Sequence, residues 1–108
     1  LLLSLDEKSK SKKIYEEIIN SKNKFYSILA LNSILENNLE QDKNKILFYF
    51  ITVEKLNKSQ EQKDLILFKK ALYLNKISSK KKEGNKILKS LIKNNSKLKT
   101  LAEEIIIE

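Results

Sequence analysis

The 108 residues contain no cysteine, histidine, proline, methionine or tryptophan, and only one glycine, Gly84. Without cysteine there is neither a disulfide framework nor a thiolate site. Without histidine as well, metal ligands reduce to carboxylates, and hard-cation loops gather several oxygens around a glycine-containing turn that this chain does not offer. A single glycine excludes a glycine-rich phosphate loop. Nucleophilic catalysis at Ser or Thr lacks its usual base, and Ser78-Ser79-Lys80 falls at a helix joint, where a cap explains it. The pairs Glu16-Glu17 and Glu103-Glu104 are adjacent on helices, so their members point about 100° apart. The chain therefore reads as non-enzymatic, with no cofactor and no metal. No segment approaches the roughly 18 apolar residues of a membrane span.

Arginine is missing too: all 22 basic residues are lysine, against 14 acids, giving a net charge of +8. Arginine forks onto phosphates and guanine edges, whereas lysine is a point charge. Lysine, asparagine and isoleucine share AT-rich codons, so a low-GC genome accounts for much of the excess. The strongest cluster is Lys80-Lys81-Lys82 with Lys76, Lys86, Lys89 and Lys93. It reads as a solvated helix flank, or as a surface for lipid headgroups or nucleic acid. The aromatic interleaving used to stack bases is missing there.

Hydrophobic residues at 41% and charged residues at 33% describe one globular domain. With the two strongest breakers nearly absent, long helices with short joints are favoured. Six are marked. Ser4 with Glu7 opens the first, which carries Tyr15, Ile18 and Ile19 and is interrupted by Asn20-Ser21-Lys22-Asn23. The second spans residues 24–37 and ends on Asn37-Asn38, since asparagine tolerates the left-handed conformation. Asp42 caps a third with Ile46, Leu47, Phe50, Val53 and Leu56. A strand over 46–53 is the rival reading, but helical spacing continues on both flanks. Ser59 with Gln62 opens the fourth, holding Leu65, Leu67, Phe68, Ala71, Leu72 and Leu74. Ser78-Ser79 marks the next joint. The fifth carries Ile87, Leu88, Leu91 and Ile92 and closes on Asn94-Asn95. Ser96 caps a sixth with Leu98, Leu101, Ala102, Ile105 and Ile106.

A kernel recurs along the chain. Tyr26-x-x-Leu29-Ala30-x-x-Ser33 returns as Leu67-x-x-Lys70-Ala71-x-x-Leu74 and as Leu98-x-x-Leu101-Ala102-x-x-Ile105. A small residue on a helix face lets a neighbouring helix approach, so Ala30, Ala71 and Ala102 mark contact points. Two further stripes, Ile46-Phe50-Val53 and Gly84-Leu88-Leu91, sit between them. Gly84 costs about 1 kcal/mol relative to alanine inside a helix; a close backbone crossing, or a helix start just after it, accounts for it. The alanines stand 41 and 31 residues apart, which brackets helical-hairpin repeats of about 34 residues. The expected fold is all-α, a single domain of stacked antiparallel hairpins forming a degenerate tetratricopeptide-like solenoid, with residues 1–23 a preceding helix and 24–108 the repeat region. An irregular helical bundle is the plainer alternative.

The segments Phe25-Tyr26-Ser27-Ile28-Leu29-Ala30-Leu31, Leu67-Phe68-Lys69-Lys70-Ala71-Leu72-Tyr73-Leu74 and Leu98-Lys99-Thr100-Leu101-Ala102-Glu103-Glu104 resemble the tetratricopeptide-repeat-like domain of bacterial YfgM-type proteins. The resemblance covers residues 24–108. It lacks the Trp, Pro and signature Gly of repeat junctions, and no N-terminal membrane helix is present. It implies a periplasm-facing, inner-membrane-anchored protein that meets the Sec translocon and periplasmic chaperones. The start at Leu1, without methionine, reads as a piece of a longer protein whose anchor lies elsewhere.

Stacked hairpins present their first helices along a concave surface, here residues 24–37, 62–77 and 96–108. On that geometry Ser27, Leu31, Phe68, Leu72, Asn75 and Lys99 are the candidate groove residues, each also readable as core. The expected function is a non-catalytic protein–protein interaction scaffold; the alternative is a basic helical nucleic-acid-binding module. An enzyme subunit with its active site elsewhere is a third reading. The apolar end Ile105-Ile106-Ile107 predicts a following helix or a homodimer contact.

Overall fold

A computed structural model describes residues 5–106. Every helix among them belongs to a simple order: α1 (Leu5–Asn20), α2 (Lys24–Glu36), α3 (Lys43–Leu56), α4 (Gln60–Asn75), a 3₁₀ turn at Ser78–Lys80, α5 (Lys81–Lys93) and α6 (Lys99–Ile105). The described residues contain no strand, so the fold is all-α and the β-like run 46–53 lies inside α3. Ser4, the leucines at 1–3 and Ile107 fall outside the described residues. The chain divides into two compact units, Leu1–Leu56 and Asn57–Glu108. Residues 23 and 24, where the preceding helix meets the expected repeat region, lie within the first unit, where α1 packs against α2.

In the first unit α1 ends at Asn20, and Lys22 takes the left-handed conformation, φ 63°. Asn23 then starts α2: its Oδ1 accepts from the amides of Phe25 at 3.1 Å and Tyr26 at 2.9 Å, satisfying first-turn donors that have no partner within the helix. The polar run read as a simple interruption thus holds a helix cap. Ser27 is fully buried, and its hydroxyl donates to the Ile18 carbonyl at the end of α1, 3.3 Å away. This fastens the hairpin across its joint. α2 closes as expected on Asn38, φ 50°, with the amides of Asn38 and Leu39 donating to the carbonyls of Leu35 and Ile34. Asp42 caps α3 as expected through Asn44 N at 2.9 Å. Inside the unit lie Ile19, Ala30, Leu31, Ile34, Leu39, Ile46, Tyr49, Phe50 and Val53.

The second unit is built on α4 and α5. Ser59 has the extended backbone of a cap, but its hydroxyl makes no capping bond. The expected pairing of Ser59 with Gln62 is thereby corrected: the serine is exposed, and water competes for its hydroxyl. Gly84 lies inside α5, where the helix crosses α4. A Cβ at residue 84 would stand 2.9 Å from the Ala71 carbonyl oxygen and within van der Waals overlap of the Asn75 amide. Of the two accounts of this glycine, the close crossing is the one the fold shows. One turn further on, Phe68, Ala71, Leu88, Leu91 and Ala102 form the buried cluster, with Ile105 and Ile106 packed against it. Two of the three terminal isoleucines are therefore engaged within their own unit. α5 closes on Asn95, φ 53°, and Ser96 accepts the Leu98 amide at 3.1 Å just before α6 begins.

Candidate docking surface

The recurring alanines are all buried, and this decides the fate of the residues around them. Side chains three or four positions apart on a helix share a face, so Ser27 follows Ala30 inward, Leu31 follows Ser27, and Phe68 follows Ala71. All three are buried, which corrects their expected place in an open groove. Leu72 is partly buried against the Phe68 cluster. Asn75 is half-buried, with its amide nitrogen and oxygen enclosed and without hydrogen-bond partners among the described residues. Lys99 is half-buried on α6. The candidates divide between the units, two in the first and four in the second.

The open apolar surface of the first unit is made by other residues. α2 is apolar on both sides. Its inner row is Ser27, Ala30, Leu31 and Ile34, while Phe25, Tyr26 and Leu29 are 60–65% exposed. α3 repeats this arrangement: Ile46, Phe50 and Val53 are buried, whereas Phe48 is 58% and Ile51 40% exposed. At 100° per residue Phe48, Ile51 and Lys55 centre on the side of α3 opposite the buried stripe. They border a cleft of about 350 Å³ between α3 and the end of α1, lined by Ile19, Asn20, Lys22, Phe48, Ile51, Thr52, Lys55 and Leu56. Its size is that of a small recognition cleft. The two charged groups that line it are both lysines. Phe48 was visible in the sequence within an aromatic run, and the signal that it lay off the core stripe was its position two residues from both Ile46 and Phe50.

A second cluster of this unit ties loop to helix. Glu40, between α2 and α3, is buried. Its Oε2 accepts from the amides of Gln41 at 3.1 Å and Asp42 at 3.0 Å, and its Oε1 stands 3.0 Å from the Lys12 ammonium of α1. Burial alone would raise the carboxyl; the Asp42 amide and the Lys12 charge outweigh it and hold the group below the usual carboxylate range. The Tyr49 hydroxyl is enclosed nearby. Burial, then the Glu16 and Glu40 carboxylates, push it well above the ordinary phenol range. Both Glu40 oxygens are engaged by this scaffold, so the cluster fastens α1 to the loop between α2 and α3 and to the start of α3. No group of three or more His, Cys, Asp or Glu side chains able to hold a metal ion occurs among the described residues, and no helix there is long and apolar enough to cross a membrane.

No family model, curated protein or solved structure matches this chain. Its functional reading is therefore carried by its own residues.

Proposed function

We propose that the chain is a non-catalytic protein–protein interaction module, and that its docking surface is the cleft between α1 and α3 of the first unit. The observation that carries this is the exposure of Phe48 and Ile51 around a formed cleft. Scattered apolar side chains are ordinary on a surface, but a cleft bordered by large ones is the usual mark of an interaction site. The exposed outer row of α2 supports the same reading. An all-round apolar helix is ordinarily buried on every side, and α2 buries only one.

A photo-crosslinking side chain at position 48, in cells expressing the full-length protein, should give one or a few crosslinked species of discrete mass. Ile51→Asp should abolish them, and a probe at exposed Lys13 should give none. A smear indistinguishable between positions 48 and 13 would count against the cleft.

The finer architecture, a degenerate tetratricopeptide-like solenoid, is part of this proposal. So are an inner-membrane anchor, a periplasm-facing location and a translocon or chaperone partner. They rest on the sequence resemblance, with the all-helical order in its support. Among the described residues, Leu101 on the C-terminal helix, 47% exposed, is available to a homodimer contact.

One observation favours a second reading, nucleic-acid binding. Lys82, Lys86, Lys89 and Lys93 recur at four-, three- and four-residue steps along one face of α5. The second unit also holds 13 of the 22 lysines against six of the 14 acids. Binding of this kind would be electrostatic and would weaken steeply with salt. A titration of generic duplex and single-stranded DNA from about 50 to 200 mM salt checks it: on the interaction-module reading, affinity for both should be negligible at the upper end.

A further inference from the structure

The chain places three non-glycine residues in the left-handed backbone region: Lys22, Asn38 and Asn95. Each stands just past the end of a helix, where the chain reverses. Asparagine adopts this conformation readily, and lysine does so at a cost in backbone sterics. Asn38 and Asn95 thus carry the residue the geometry favours, and Lys22 does not, although Asn20 and Asn23 flank it. Lys22 also lines the α1–α3 cleft. So does Lys55, on the outer side of α3. Both are exposed, neither forms an ion pair among the described residues, and no carboxylate lines the cleft. The cleft is thus lined by four apolar side chains, Ile19, Phe48, Ile51 and Leu56, and by two cations.

We infer that this cleft receives an amphipathic helical segment of a partner protein whose apolar row is flanked by carboxylates, and that Lys22 holds its left-handed position in order to present a cation to that segment. The inference rests on the docking reading above and adds to it the chemistry of the partner. An apolar helix row seated in a groove supplies contact area. Carboxylates opposite the two lysines select the partner and its orientation and speed its association, rather than supplying most of the affinity. A basic helix would meet two unneutralised lysines, so the same cleft rejects it.

The test uses fluorescence anisotropy with three labelled 16-residue helical peptides that share one Leu row at four- and three-residue spacing. They differ in carrying Glu, Gln or Lys on the flanks. The Glu peptide should bind at least tenfold more tightly than the Lys peptide at 50 mM salt, with the difference shrinking at 300 mM. Lys22→Asn and Lys55→Gln should each weaken the Glu peptide three- to tenfold and leave the Gln peptide unchanged, and Lys22→Arg should restore binding. The unfolding temperature of Lys22→Asn should equal or exceed that of the parent, because asparagine suits the left-handed site; this separates a binding role from a structural one. If all three peptides bind equally and Phe48→Asp abolishes each, docking at the cleft stands and the acidic partner is overturned. If Phe48→Asp changes nothing, or if none of the peptides binds, the inference is overturned as well.

Discussion

Gly84→Ala should lower the stability of the second unit by about 1–3 kcal/mol, although the same exchange on an open helix would raise it by about 1 kcal/mol. The sign turns on what the new methyl meets. Its nearest neighbour is the Asn75 side-chain amide, which can rotate away; the next is the Ala71 carbonyl oxygen at 2.9 Å, which belongs to α4 itself and cannot. Relief requires α4 and α5 to separate, and separation loosens Phe68, Leu88 and Leu91 around the Ala71 contact. Thermal unfolding followed by circular dichroism reads the loss, and amide exchange should place it in α4 and α5. Asn75→Ala divides the two clashes. It removes the overlapping amide, whose buried atoms lack partners among the described residues, so alone it should be close to neutral. Combined with Gly84→Ala it should recover only part of the loss, because the carbonyl remains. Full recovery would mean that Asn75 alone sets the tightness of the crossing.

Gly84 was legible in the sequence because it broke a rule: a lone glycine amid helical spacing calls for a close approach or a terminus. The Ala71 and Ala102 kernels were legible on the same grounds, and both lie in one buried cluster. Helix order followed from three- and four-residue spacing, and two of the three left-handed turns followed from asparagine. The third did not, since nothing in the composition of Asn20-Ser21-Lys22-Asn23 says that the chain reverses on the lysine rather than on an asparagine. The groove residues were misplaced for a related reason. Ser27 and Phe68 stand three residues before a buried alanine and share its burial, while Asn75 and Lys99, one turn from an alanine but at the ends of α4 and α6, stay half-buried. The cleft needed a fact that periodicity alone does not hold, namely which of two apolar sides of α3 is covered. Ile46, Phe50 and Val53 outline one side, Phe48 and Ile51 the other, and only the packing of α1 and α2 decides between them. Likewise Glu40 resembles any loop carboxylate until Lys12, 28 positions earlier, is brought to 3.0 Å from it.

That contact carries the other large expected effect. Glu40→Ala should destabilise the first unit by about 2–4 kcal/mol. It strips the acceptor from the Gln41 and Asp42 amides and the counter-ion from Lys12, whose side chain is only 29% exposed. Glu40→Gln keeps a neutral acceptor for the amides and loses the ion pair, so about half the effect should remain. The dependence on pH separates these contributions. Because the Glu40 carboxyl is held below its unfolded value of 4.5, the folded chain binds that proton less readily than the unfolded one. The resulting stability is complete above the unfolded value and is lost as pH falls through the lower folded one. Parent stability should therefore drop below about pH 4.5, and the drop should be shallower in Glu40→Gln, which has no carboxylate to protonate there. Tyr49 works in the opposite direction. Its hydroxyl is raised above the ordinary value of 10.0, so the folded state keeps a proton that the unfolded state releases, and stability falls as pH climbs past 10. Tyr49→Phe should flatten that alkaline limb while leaving the acid limb in place. Equal pH profiles for the parent, Glu40→Gln and Tyr49→Phe, measured by urea denaturation at each pH, would show that the latch between α1, the loop and α3 carries no weight.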